Sequence, residues 1–274
     1  MDTQNLQRIG FIGAGNIAES MIRGLITSGH LDPGEIVIAD VNQHRLTQVH
    51  QMLGPTIARS NQDAAARVQV LLLAVKPAQM VEVARSIASQ LRPNQFVVSV
   101  AAGTSLGRIR EALGEGPRLC RIMPNLAASV RCSTIGLYAE PALSTDDLGP
   151  VYALLSRVGK VFRIENEAQM AVVTALSGSA PAYYVMMADA LIQFGVSQGI
   201  PQELARSMIL GTMEGSASWA LGGRVPLEQL WRKVVTPGGT TEAGIDYYRE
   251  QGFLDIFVEG LRRSTRRARE LGDY

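Results

Sequence analysis

The stretch Ile9-Gly10-Phe11-Ile12-Gly13-Ala14-Gly15-Asn16-Ile17-Ala18 decides the fold. A short apolar run enters a turn built on two glycines, and apolar residues then recur at Ile17, Met21, Ile22, Leu25 and Ile26, the spacing of one helix face. The pattern Gly13-x-Gly15-x-x-Ala18 has the form of a dinucleotide fingerprint. Its first glycine permits a tight turn, its second lets backbone approach a pyrophosphate, and a small third residue lets helix and strand pack closely. The amides that open the helix face the phosphates, and the helix dipole favours their charge. A strand before the turn, a helix after it and an acidic strand end at Asp40, about 20 residues further on, meet the context this motif needs.

Three more unbroken apolar runs follow: Ile36 to Ala39, Val70 to Val75, and Phe96 to Val100. Continuous rather than alternating apolarity marks strands covered on both faces, and helix-like segments separate the runs. The expectation is a Rossmann-type, doubly wound parallel sheet. Further strands are predicted at Leu119 to Met123, Thr134 to Tyr138 and Lys160 to Ile164, with a helix over Asp146 to Val158. Beyond Glu165 the texture becomes helical. Helices are predicted at Glu167 to Leu176, Ala180 to Gln198, Pro201 to Ala220, Pro226 to Val234, Thr241 to Gln251 and Phe253 to Leu271. The domains are therefore expected at 1–165, a dinucleotide-binding sheet domain, and 166–274, a helical domain.

Composition removes several classes of chemistry. Of 274 residues, 46% are hydrophobic and 19% charged, as in an ordinary globular protein, and 26 basic against 25 acidic residues leave +1, no handle for a polyanion. Histidine occurs only at positions 30, 44 and 50, and lysine only at 76, 160 and 233. Chemistry in the C-terminal two thirds therefore uses no histidine, as base or as metal ligand, and no metal site is predicted. Cys120 and Cys132 lack CxxC spacing and read as reduced thiols. No stretch reaches about 18 consecutive apolar residues, and Met1 to Asn5 lacks the charge and apolarity of a leader, so the expected location is the cytoplasm.

Candidate site residues cluster at strand ends and glycine turns. Asp40 can bind a ribose 2′-hydroxyl, favouring NADH, whereas Asn42, His44 and Arg45 can receive a 2′-phosphate, favouring NADPH; the sequence leaves both open. Val75-Lys76-Pro77 and Ala101-Ala102-Gly103 end predicted parallel strands, the edge at which open sheets bind ligands. Thr236-Pro237-Gly238-Gly239-Thr240-Thr241 sets a turn whose threonines can cap a new helix, gathering backbone N–H groups and hydroxyls into a carboxylate receptor. Ser177-Gly178-Ser179-Ala180-Pro181 interrupts a helical pattern with small residues, as a kink or a close ligand approach would. The nearly continuous apolar run Ala182 to Ala188 needs partners on all sides. A helical domain of about 100 residues buries only about two thirds of its surface alone, so a shared surface with a second subunit is expected. The Arg262, Arg263, Arg266, Arg267 and Arg269 series, interleaved with Glu259 and Glu270, reads as a solvated helix face.

Together these motifs resemble the pyrroline-5-carboxylate reductase family. The resemblance spans the chain, through Gly10 to Asn16, Ala74 to Pro77, Val100 to Gly103, Met123-Pro124-Asn125, Ser177 to Ser179 with Pro181 to Tyr183, and most specifically Thr236 to Thr241. It implies reduction of 1-pyrroline-5-carboxylate to L-proline, the final step of proline biosynthesis, by NADPH or NADH. It also implies a homodimer through the C-terminal helices that can assemble further. On the family pattern, Gly13, Ala14, Gly15, Asn16, Ile17, Ala18, Asn42, Asn61, Ala74, Val75, Lys76, Pro77, Ala101, Ala102 and Gly103 line the cofactor site. Thr236, Gly239, Thr240 and Thr241 hold substrate, with Thr241 catalytic at the ring nitrogen. Two positions depart from the pattern: Leu126-Ala127 replace Thr-Pro after Met-Pro-Asn, and Ala180 replaces glycine before Pro181. They keep open a reductase of a related cyclic imino acid. A non-catalytic nicotinamide sensor is the other alternative. A β-hydroxyacid dehydrogenase shares the layout but needs a lysine that is missing between Lys160 and Lys233.

Overall fold

A computed structural model describes residues 8–272; Met1 to Asn5, read above for a leader, lie outside the described residues. The strands are β1 (Ile9–Ile12), β2 (Ile36–Ala39), β3 (Thr56–Ile57), β4 (Val70–Leu73), β5 (Phe96–Ser99), β6 (Arg118–Met123), β7 (Ser133–Ala139) and β8 (Gly159–Arg163). They form one sheet in the order β3-β2-β1-β4-β5-β6-β7-β8. Pairing is parallel from β3 through β6, whereas β7 runs antiparallel to β6 and β8 parallel to β7. The reversal follows from chain length. Pro124 to Cys132 is too short for the crossover that a parallel neighbour requires, and it folds into a tight helical turn at Leu126–Val130. Strand β3 has two residues, too few to leave a period in the sequence.

The helices of the sheet region are α1 (Asn16–Thr27), α2 (Gln43–Leu53), α3 (Asn61–Arg67), α4 (Pro77–Ile87), α5 (Leu106–Leu113), α6 (Gly149–Leu155) and α7 (Met170–Val173). Each central strand is buried on both faces. Ile9, Phe11, Ile36, Ile38, Val70 and Leu72 pack with Met21, Ile22 and Leu25 of α1. Ile12, Val37, Leu71, Leu73 and Val97 pack on the other side with Met80, Ala84 and Ile87 of α4. This is why the runs are unbroken in sequence.

After β8 every described element is helical: α8 (Ala180–Ser197), α9 (Gln202–Leu221), α10 (Leu227–Arg232), α11 (Thr240–Glu250) and α12 (Phe253–Glu270). By contact the chain forms two compact units, one running to Pro181 and resuming at Ser264, the other Ala182–Arg263. The helix predicted over Glu167 to Leu176 is divided. A π turn occupies Thr174–Gly178, where the Ser179 amide donates to the Thr174 carbonyl at 2.8 Å, and α8 restarts with Pro181 in its first turn. Within the second unit Tyr183 meets Phe257 edge-on at 6.2 Å. Val185, Met186, Phe194, Leu204 and Met208 are exposed, far more apolar surface than a solvated helix pair carries. The arginine-rich face of α12 is solvated, with Arg263 paired to Glu259 and Arg267 to Glu270 in exposed contacts that contribute little.

Gly24 marks the tightest packing on α1. A Cβ there would collide with the Ala128 carbonyl in the turn between β6 and β7. Gly24→Ala is expected to destabilise the sheet domain by about 1–3 kcal/mol, lowering the urea midpoint; an unchanged midpoint would show that the turn yields freely.

Candidate functional site

The glycine turn is built by three neighbouring strands. Gly13 leaves β1 at φ 100°, and a Cβ on it would stand 2.5 Å from the Ala74 carbonyl oxygen at the end of β4, so only glycine fits. Its amide donates to the Ala39 carbonyl of β2 at 2.8 Å. Asp40 then fixes the next residue: its Oδ2 accepts the Ala14 amide at 2.6 Å, and its Oδ1 accepts the Asn42 amide at 2.8 Å. Gly15 occupies the N-cap of α1 with no side-chain cap, and a Cβ placed on it would meet nothing within 4 Å. The first amides of α1 therefore have no side-chain cap, and a helix start of this kind can receive an anion.

Beside this turn lies a cleft of about 320 Å³. It brings together the predicted Gly13, Gly15, Asn42, Asn61, Ala74, Val75 and Lys76, with Asp40 and Arg45, the two candidates for the ribose edge. Ala14 and Ala18 are instead buried in the packing of α1, Ile17 is half-buried, Asn16 is exposed, and Pro77 forms the first turn of α4; none lines the cleft. Gln79 and Val83 do line it. They stand three and seven residues after Lys76, so the helical period of α4 carried the signal for them.

Ala101, Ala102 and Gly103 follow β5 and also lie outside that cleft. Gly103 adopts φ 91°, and a Cβ there would come within 2.7 Å of the Gly272 amide nitrogen, so the two backbones touch. The loop ends at α5, whose first amide, on Leu106, donates to Glu167 Oε1 at 2.7 Å. The same oxygen accepts from Arg121 Nη1 at 3.0 Å, and the Arg121 side chain is only 1% exposed. This part-buried ion pair, which no sequence pattern announces, ties β6, the start of α5 and the segment after β8 together.

Two motif segments meet around Asn125. Its side-chain amide donates to the Ser177 carbonyl at 3.1 Å, its backbone amide donates to Ser133 Oγ at 3.0 Å, and Ser177 Oγ donates to the Thr134 carbonyl at 2.5 Å. Met-Pro-Asn and Ser-Gly-Ser, separated in sequence, thus form one buried polar contact beneath the π turn. Gly178 faces Met123, whose sulfur lies 3.0 Å from where a Cβ would be.

In the helical unit, Gly238 sits at φ 71° and its amide donates to Glu242 Oε2 at 2.7 Å. The Gly239 amide donates to the Thr236 carbonyl at 2.8 Å, and a Cβ on Gly239 would collide with Thr236 Oγ1. Neither threonine caps the helix. Gly239 is the N-cap without a side-chain bond, and Thr240 and Thr241 occupy the first turn of α11. That correction leaves the amides at the start of α11 without a side-chain cap, while Thr236 is exposed and Thr241 half-buried. No group of three or more His, Cys, Asp or Glu side chains suited to a metal ion occurs among the described residues. Burial pushes the Cys120 thiol up to about 12, which leaves it inert as a nucleophile.

Comparison with known proteins gives two family matches: pyrroline-5-carboxylate reductase dimerisation over residues 167–271, and NADP oxidoreductase, coenzyme F420-dependent, over residues 8–103. A pyrroline-5-carboxylate reductase of Pseudomonas aeruginosa is 35% identical over 266 residues, covering 97% of both chains. A solved pyrroline-5-carboxylate reductase from Coxiella burnetii superposes with a TM-score of 0.84 at 32% identity, covering 98% of this chain and 99% of that one. A Plasmodium falciparum pyrroline carboxylate reductase solved with NADP bound superposes at 0.87, covering 98% and 100%; at 22% identity it speaks for the fold. The helical run Glu167–Ser197 is long and apolar enough to cross a membrane by length and composition, yet it lies wholly inside the dimerisation match.

Gly13→Ala is expected to weaken nicotinamide dinucleotide binding by at least about tenfold, because the added methyl group must push the turn away from Ala74. Titration of cofactor fluorescence measures this; undiminished affinity would remove the turn from the cofactor site.

Proposed function

The chain belongs to the pyrroline-5-carboxylate reductase family, and from that premise we propose how its residues divide the work. It is an oxidoreductase that reduces 1-pyrroline-5-carboxylate to L-proline, the final step of proline biosynthesis, with NADPH or NADH as donor. The observation that carries this reading is similarity at 35% identity across 97% of the chain.

In the sheet domain, the uncapped first turn of α1 holds the pyrophosphate, and Asp40, Asn42 and Arg45 face the adenosine ribose. Asn61, Ala74, Val75 and Lys76 continue the cofactor surface along the cleft; Pro77 and the loop Ala101 to Gly103, held by Glu167 and Arg121 and outside that cleft, are assigned to it on the family pattern alone. When bound, the nicotinamide supplies a hydride to the imine carbon. In the helical unit, Thr236 and the amides of Gly239, Thr240 and Thr241 hold the substrate carboxylate, without a cationic side chain. The Thr241 hydroxyl hydrogen-bonds the ring nitrogen, which takes up one proton as the C=N bond becomes C–N. What supports these roles is the family pattern at each position and the uncapped start of α11. A protonated imine is already electrophilic, so the protein contributes positioning rather than an acid–base pair, and this suits a chain without histidine beyond residue 50.

The protein oligomerises. We assign a homodimer through the C-terminal helices, supported by the exposed apolar surface of α8 and α9, with functional domains at 1–165 and 166–274, supported by a dimerisation match that begins at residue 167. A cytoplasmic location fits the use of a nicotinamide reductant. A related cyclic imino acid is the second reading of the substrate. It is favoured by Leu126, which is 52% exposed where the family pattern has threonine, and by Ala180 in place of glycine.

Purified protein should oxidise NADPH or NADH in the presence of 1-pyrroline-5-carboxylate; no oxidation with either donor would overturn the substrate assignment, and a six-membered imine would then be tried. Thr241→Ala should lose about tenfold or more in kcat/KM with cofactor affinity unchanged. Light scattering at micromolar concentration should give at least a dimer, and a strict monomer would contradict the shared helical surface.

A further inference from the structure

The groups that read the adenosine ribose are bound to one another in a particular way. Among the described residues that line the cleft at the end of β2, Arg45 is the one cation that can neutralise a 2′-phosphate; His44 does not line it. Its guanidinium is engaged on three sides. Nε donates to the Ala14 carbonyl at 2.8 Å, Nη1 donates to Gln48 Oε1 at 2.8 Å, and Nη2 is hydrogen-bonded and ion-paired to Glu19 Oε2. Glu19 lies on the first turn of α1, outside the cleft lining, and its other oxygen accepts from Arg23 at 3.2 Å. The Arg45 hydrogen bond is the main cause that holds the Glu19 carboxyl below the ordinary carboxylate range. Both side chains are about one-fifth exposed, so the pair is screened less than a fully solvated one.

The carboxylate that faces the same edge is Asp40, fixed by the Ala14 and Asn42 amides. An oxygen held this way keeps lone pairs for a ribose hydroxyl and repels a phosphate. The other cation lining the cleft is Lys76, which follows β4, on the opposite side of β1 from β2. The lining of the ribose edge therefore presents the Asp40 carboxylate beside an Arg45 whose charge is already paired with Glu19.

We propose that this edge reads a 2′-hydroxyl in preference to a 2′-phosphate, so that the chain selects NADH, and that Glu19 sets the preference by holding the Arg45 guanidinium against the glycine turn. Glu19 is a positioning residue: it acts through Arg45. The inference rests on the nicotinamide reading given above.

The test measures dissociation constants for NADH and NADPH by nicotinamide fluorescence, without substrate, on the wild type, Glu19→Gln, Arg45→Met and the double variant, with circular dichroism to establish folding. Wild type should bind NADH more tightly. Glu19→Gln should move the NADH to NADPH ratio of affinities toward NADPH by roughly fivefold, the size of one partly exposed charge pair. In the Arg45→Met background the same change should move it little, because the partner is gone. A merely structural role for Glu19 would weaken both nucleotides together and leave the ratio unmoved. Tighter binding of NADPH by wild type, an unmoved ratio in Glu19→Gln, or an equal shift in the double variant overturns the proposal alone. Failure of the folded wild type to bind either nucleotide overturns it together with the nicotinamide reading.

Discussion

The hydrogen bond from the Ala14 amide to Asp40 Oδ2, 2.6 Å long, is the joint on which the nucleotide half of the molecule depends. It ties the loop leaving β1 to the end of β2, while Gly13 lies against the Ala74 carbonyl at the end of β4. Three parallel strands thus converge on two residues. The parallel sheet makes this possible, since its strands deliver their C-terminal ends to one edge. A side chain at position 13 would separate β1 from β4, and loss of the carboxylate would leave the Ala14 amide, in a fully buried residue, without its acceptor.

A second fixed point lies further along the same edge. Glu167 joins the first amide of α5 to the guanidinium of Arg121, so the loop Ala101 to Ser105 is held at its far end by a charge buried in β6. Asn125 does the same for the π turn, carrying a hydrogen bond to Ser177. Neither contact is local in sequence, and each places a glycine- or serine-containing motif where a rigid sheet sets its position. Binding segments gain precision when loops are anchored in this way.

The first domain was legible because its signals are local and redundant. A four-residue apolar run buried on both faces, a glycine turn and an amphipathic helix each demand one geometry, and all agree at residues 9–26. The same clarity failed where geometry depended on connection length or on distant partners. The sense of β7 followed from the short link before it, and β3 was too small to show a period. At α11 the threonines looked like caps by composition, yet the turn at Gly238 sets the N-cap at Gly239. In the cleft, Gln79 and Val83 belonged to the helical period of α4 and were readable in principle. The Arg121–Glu167 pair was not, because no periodicity links residues 46 apart.

The sequence by itself determined the succession of a sheet domain and a helical domain, the glycine chemistry of the turn, the scarcity of histidine and lysine, and the family. These depend on periodicity, composition and short motifs, which the chain carries whatever its neighbours do. Only the tertiary structure decided which side chains are already engaged: Asp40 by two amides, Arg45 by Glu19, Glu167 by Arg121 and Leu106. A charged residue's function depends on the partners that neutralise or orient it, and those partners are brought close by the fold rather than by proximity along the chain.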